Sequence, residues 1–172
     1  MTQTLPVWRP FERTDKELVF ACLQDSYRPT VLALIRDTRG RLLLVQSART
    51  GEWGFVQGGV EDGESPLHAL KREVLEELGA DSATCVPERY LGCADIDVDP
   101  GTGYHRRFRK GVRYFLFELT YFGPEMPPLQ ASELSGYEWI AGGLADPRFR
   151  DLLKGGRPAK NRLYVDALLR AS

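Results

Sequence analysis

The sequence predicts an α+β domain built on a mixed β-sheet, and three observations carry that prediction. Apolar runs of strand length, rich in branched and aromatic residues, dominate the middle of the chain: VLALI at 31–35, RLLLVQ at 41–46 and VRYFLFELTYF at 112–122. Helical periodicity is strong at one internal stretch, 66–78, and returns in two short segments near the end. Strands and helices do not alternate regularly, so a mixed sheet with inserted helices fits better than a doubly wound fold. The 172 residues, 42% hydrophobic and 27% charged, suit one domain over 1–172 with its own core.

In chain order, ELVFACL at 17–23 reads as a strand within an N-terminal strand extension, 1–30, because Pro6, Pro10 and Pro29 discourage a long helix. VLALI, the turn RDTRG and RLLLVQ read as a hairpin. WGFVQ is a short extended segment ahead of the Gly58–Gly59 pair. Ser65 is a good N-cap, Pro66 suits the first helical position, and Leu67, Leu70, Val74 and Leu78 follow at helical spacing until Gly79. Two strands, CVPERYLGCADIDV and VRYFLFELTYF, flank the basic loop DPGTGYHRRFRKG at 99–111. ELSGYEWI at 133–140 is a further strand, and two helices over about 143–171 finish the chain.

Composition narrows the functional classes. The net charge of −1 gives no global field toward nucleic acid or membrane, so a polyanionic ligand must be held by local features. The three cysteines lack metal-type spacing and read as reduced, mostly buried thiols. The first residues lack a secretory apolar core and no later run is long enough to span a bilayer, which makes a soluble cytoplasmic protein with no membrane partner the expectation.

The chemistry concentrates in WGFVQGGVEDGESPLHALKREVLEELGA, 53–80. At 100° per residue, with Glu73 at zero, Glu76 lies at about 300° and Glu77 at about 40°, flanking the stripe of Leu67, Leu70, Val74 and Leu78. Three acids at the rim of a core repel one another unless water dilutes the cost or a cation removes it. A solvated acidic face and a metal nest both fit that pattern alone. Oxygen-only ligands of this charge suit Mg²⁺ or Mn²⁺. The preceding glycines permit close backbone approach to a ligand, and Arg72 with Glu64 forms a potential brace between loop and helix.

The same residues resemble the Nudix box: Gly58, five residues, Glu64, seven residues, then Arg72–Glu73–Val74–Leu75–Glu76–Glu77–Leu78–Gly79. The closing aliphatic position departs from the pattern and is Ala80, so the box spans 58–80. The resemblance implies a mixed sheet between helices and hydrolysis of a nucleoside diphosphate linked to a group X. It also implies divalent metal on Glu73, Glu76 and Glu77, aided by a carbonyl at Gly58 or Gly59, with Glu64 and Arg72 bracing the structure. Spacing leaves the general base open between Glu73 and Glu77.

Flanking segments resemble the RNA pyrophosphohydrolases and dinucleoside polyphosphate hydrolases of that family. WGFVQGG is similar to their W-x-x-P-Q-G-G lead-in with Val56 in place of proline, which puts Gln57 among the substrate-binding candidates. ELSGYEWI is similar to their E-F-x-G-W-x-W-V segment, which implies an additional metal carboxylate at Glu133. In the basic loop, Arg107 and its neighbours could clamp phosphates while Tyr104 or Phe108 stacks on a base, or the loop could simply be solvated. Lys110 and Tyr114, on one face of the following strand, pair for a phosphate and a base or ribose. The expected substrate is a dinucleoside polyphosphate or a triphosphorylated RNA 5′ end. Nucleoside triphosphates, ADP-ribose or a nucleotide sugar form an alternative, and a catalytically silent RNA-binding or regulatory module another. Nothing in the sequence marks an oligomeric interface, although a homodimer is compatible with the family.

Overall fold

The computed structural model describes residues 16–98, 108–125, 127, 129 and 133–172. Its spine is strand β1, Tyr27–Asp37, buried from Pro29 to Ile35. One edge of β1 runs parallel to β6 (Gly111–Tyr121) along its whole length. Two antiparallel strands share the other edge, β4 (Val56–Gly59) opposite Thr30–Ala33 and β2 (Leu42–Ser47) at Arg36. β2 also pairs with the short β3 (Trp53–Gly54) and with β7 (Leu134–Ile140), and β5 (Cys85–Asp97) closes the far side against β6. The result is a seven-stranded mixed sheet.

A central strand with both edges paired must bury both faces, and the alternation along β1 shows where each side chain goes. Val31, Ala33 and Ile35 join Ala69, Leu70, Val74 and Leu78 of α2 (Pro66–Leu78) in one core cluster. Leu32 and Leu34 join Phe149 and Leu153 of α3 (Pro147–Leu153) and Leu163, Tyr164, Ala167 and Leu168 of α4 (Pro158–Ala171) in the other. The sheet thus lies between helices, as the α+β reading requires. Each fully buried aliphatic side chain contributes roughly 1.5–3 kcal/mol.

Local chemistry fixes α2. The Ser65 hydroxyl accepts from the His68 amide at 3.2 Å, Pro66 opens the helix, and Gly79 ends it at φ 62° with its amide donating to Leu75 at 2.9 Å. The N-terminal expectation needs correction. ELVFACL is not a strand but lies in a helix, α1 (Lys16–Gln24). Burial falls on Val19 and Cys22, three residues apart, with Leu18 packed beside them, whereas Phe20 is exposed. That is one helical stripe and not strand alternation. The hydrophobic residues, read as a run, concealed the stripe. Trp139 is buried and Tyr137 packs partly against the same core. Cys22, Cys85 and Cys93 are free thiols, the first two buried. Among the described residues no helix is long and apolar enough to cross a membrane.

Candidate active site

The short strand β4 places Gln57 and Gly58 along the edge of β1 opposite β6, and α2 packs against them. A Cβ on Gly58 would overlap the Glu73 carboxyl group. Glycine is needed there so that the carboxylate can lie against the backbone of the loop.

Arg72 ties this region together. Its Nε and Nη2 donate to Glu64 at 2.9 and 3.0 Å, and Nη2 also donates to the Gly59 carbonyl at 2.8 Å. Nη1 donates to Glu73 at 2.7 Å and to Glu76 at 3.1 Å. These contacts use the full fork of a guanidinium, which a lysine cannot reproduce. Arg72 holds the Glu64 carboxyl below the usual carboxylate range, and the Glu61 amide adds to this. The pairing of Glu64 with Arg72 is as drawn from the sequence.

The three helical acids are not equivalent. Glu76 is exposed, at 54% of its side chain, and touches Arg72 from outside. Glu73 and Glu77 line a cleft together with Gln57, Gly58, Gly59 and Glu133. Burial raises the Glu73 pKa, against the pull of Arg72. Burial pushes Glu77 up further, to about 8, with the Glu73, Glu133 and Glu76 charges adding to the effect. Among the described residues no hydrogen-bond donor reaches Glu77.

The cleft has two connected lobes of about 400 and 460 Å³, with Gln57, Glu77 and Glu133 at their junction. Arg28, Thr30, Ile96, Val98, Val112 and Tyr114 wall the first lobe. The second extends over Ser47, Thr50, Glu52, Trp53 and Tyr164. Arg49, Arg157 and Lys160 border both. Lys160 is pushed down to about 8, chiefly by burial and then by the neighbouring Arg157, and Glu52 partly offsets this.

Tyr114 therefore faces the cleft, but Lys110 does not accompany it. β6 begins at Gly111, so Lys110 lies ahead of the strand, and its ammonium is 5.8 Å from the Tyr27 ring centroid. Arg113 stacks on the same ring at 4.8 Å and is engaged by Asp95 at 2.6 and 2.8 Å. Arg107, Tyr104 and His105 lie outside the described residues. Sequence reasoning missed Arg28, Arg49, Arg157 and Lys160. One signal was available: Lys160 and Tyr164 sit four residues apart on α4, so the lysine shares a face with a core aromatic.

The donor set fits a hard dication. Glu73, Glu77 and Glu133 would supply carboxylates and Gly58 a carbonyl, and among the described residues the buried Gln57 Oε1 atom has no hydrogen-bond partner. Among the described residues no three acids already converge as a ligand set, and Arg72 engages Glu73. A cation at Glu77 would offset the burial that chiefly raises its pKa and the neighbouring carboxylate charges that add to it.

The NUDIX domain family model matches residues 26–157. An RNA pyrophosphohydrolase of Helicobacter pylori (strain G27) is 30% identical over 150 residues, covering 83% of this chain and 91% of that one. One of Proteus mirabilis is 42% identical over 135 residues, covering 68% and 70%. Among solved structures, the E. coli dihydroneopterin triphosphate pyrophosphohydrolase superposes with a TM-score of 0.55 at 22% identity, covering 81% of this chain and 98% of that one. The chain belongs to the Nudix family. Within it, the chain is a pyrophosphohydrolase, an enzyme that cleaves pyrophosphate bonds, and enzymes of this family generally use divalent metals.

Proposed function

We propose that the protein hydrolyses a dinucleoside polyphosphate or a triphosphorylated RNA 5′ end, with Mg²⁺ or Mn²⁺ held by Glu73, Glu77, Glu133 and the Gly58 carbonyl. Glu76 joins from the outer side. The observation that carries the reading is one cleft in which these carboxylates face Arg28 and Lys160. Acids alone would repel a phosphate chain, and cations alone would bind it without activating water.

The bound dication supplies charge neutralisation on the phosphate oxygens and lowers the pKa of a coordinated water. The protein side of the reaction follows from the site. Arg28 and Lys160 hold non-bridging phosphate oxygens, and Tyr114 with Ile96 and Val98 offers an aromatic and apolar wall to a nucleoside. Water attacks phosphorus in line with the bridging oxygen. A P–O bond forms to the water oxygen, the bridging P–O bond breaks, and the leaving phosphate keeps the electron pair. A carboxylate takes the water proton. Arg72 occupies Glu73, whereas Glu77 accepts from no protein donor among the described residues, which favours Glu77 for that role. Arg72 and Glu64 hold the loop and helix in register.

Product analysis in ¹⁸O-labelled water tests the proposal. Nucleoside triphosphates, ADP-ribose, nucleotide sugars, dinucleoside polyphosphates and triphosphorylated RNA are compared with Mg²⁺ and with Mn²⁺. Turnover of the last two classes ahead of nucleoside triphosphates, ADP-ribose and nucleotide sugars is the expected result. A preference for any of those three overturns the substrate assignment, and silence across the panel with RNA binding intact identifies a non-catalytic module.

A further inference from the structure

The second lobe of the cleft has a chemistry of its own. Arg49 and Arg157 stand where the two lobes join, beside Lys160. Arg49 has no ion-pair partner among the described residues, and Arg157 reaches only Glu52, at 4.0 Å. The rest of the lining has a different character. Glu52, Ser47 and Thr50 provide a carboxylate and two hydroxyls, and Trp53 provides a half-buried aromatic ring.

That combination of groups matches the parts of a nucleotide. Cations at the junction suit phosphates continuing past the scissile bond. The Glu52 carboxylate in the lining repels a terminal phosphate but accepts hydrogen bonds from ribose hydroxyls or a base amine. An indole ring offers a stacking surface for a base. The lobe's volume, about 460 Å³, also exceeds what an inorganic pyrophosphate fills.

We propose that this second lobe is a leaving-nucleotide subsite, in which Arg49 and Arg157 hold the phosphates beyond the cleaved bond and Trp53, Glu52 and Thr50 hold a second nucleoside. The inference rests on the proposed hydrolysis and chooses, within it, a substrate carrying a nucleoside at both ends. An RNA 5′ end whose leaving group is pyrophosphate leaves Trp53, Glu52 and Thr50 unused.

Steady-state kinetics on two substrates of equal phosphate number, a dinucleoside tetraphosphate and a nucleoside tetraphosphate, separate the possibilities. The wild type is expected to show a KM for the dinucleoside at least about tenfold below that for the mononucleoside, equivalent to about 1.4 kcal/mol. The double variant Arg49→Ala/Arg157→Ala, at exposed positions, should raise the dinucleoside KM about tenfold while kcat moves by less than about threefold. Trp53→Leu should bring the dinucleoside KM up to the mononucleoside value, and Trp53→Phe should retain part of the preference. Equal KM values in the wild type overturn the inference. So does an arginine double variant of normal melting temperature with an unchanged KM. A wild type that turns over no substrate at all contradicts the proposed function instead, a result distinct from turnover without preference.

Discussion

Glu77 is half-buried beside other carboxylates, and among the described residues no donor reaches it. Burial first and those charges second hold its proton in the metal-free protein until about pH 8. The unfolded chain loses that proton near the ordinary glutamate value, so between the two values the folded state binds more protons. Stability of the metal-free protein therefore falls as pH rises from about 5 to about 8, and the loss is complete above the folded-state value. Lys160, lowered to about 8, acts in the opposite sense but only above that pH, where stability rises toward the ordinary lysine value. Thermal melts in chelator across pH 5–8 should show the decline, and Glu77→Gln should reduce its slope; an unaltered slope removes Glu77 as the cause. With divalent metal and substrate, the same variant should lower kcat by about a hundredfold or more while the far-ultraviolet circular dichroism stays that of the wild type. Activity within about threefold of wild type would mean that the acids on this helix play no part in turnover. Gly58→Ala tests the other side of the contact. The added methyl displaces the Glu73 carboxylate, so kcat/KM should fall together with metal affinity measured by calorimetry.

Helix α2 acts as one unit with the preceding segment because Arg72 donates to Glu64 and Gly59 there and to Glu73 and Glu76 on the helix. Removing that guanidinium leaves partly buried carboxylates unpaired, and Arg72→Ala should cost roughly 3 kcal/mol in denaturant unfolding. Arg72→Lys should recover only part of this, since an ammonium cannot span the acceptors. A full recovery would show that charge alone suffices. The helix was legible in the sequence because its signals are local: Ser65, Pro66, the apolar spacing and Gly79 all lie within one window. α1 was not legible, because its stripe of Val19 and Cys22 is short and only contact with the sheet distinguishes it from a strand. Lys110 illustrates the same limit, since alternation carried back from Tyr114 places it on that face, whereas β6 begins only at Gly111.

The whole molecule brings together residues that no local window contains. Box positions 58–77 could be read from fixed spacing, whereas Arg28 arrives on β1 and Lys160 on α4, which begins just after the residues matched by the family model. They meet only because α4 packs its Leu163, Tyr164, Ala167 and Leu168 face onto the sheet. Leu168→Ala should therefore destabilise the fold by about 2–5 kcal/mol, read from urea unfolding; a smaller effect would mean that α4 is weakly docked. Lys160→Ala, which leaves that face intact, should instead raise KM for a polyphosphate substrate with little change in melting temperature. The account as a whole depends on the cleft carboxylates binding a hard dication. Anomalous diffraction from crystals soaked with Mn²⁺ and a non-hydrolysable dinucleoside polyphosphate measures that directly. Manganese peaks within ligand distance, about 2.2 Å, of Glu73 and Glu77 oxygens are the predicted result. Ordered ligand with no manganese at either carboxylate would contradict it.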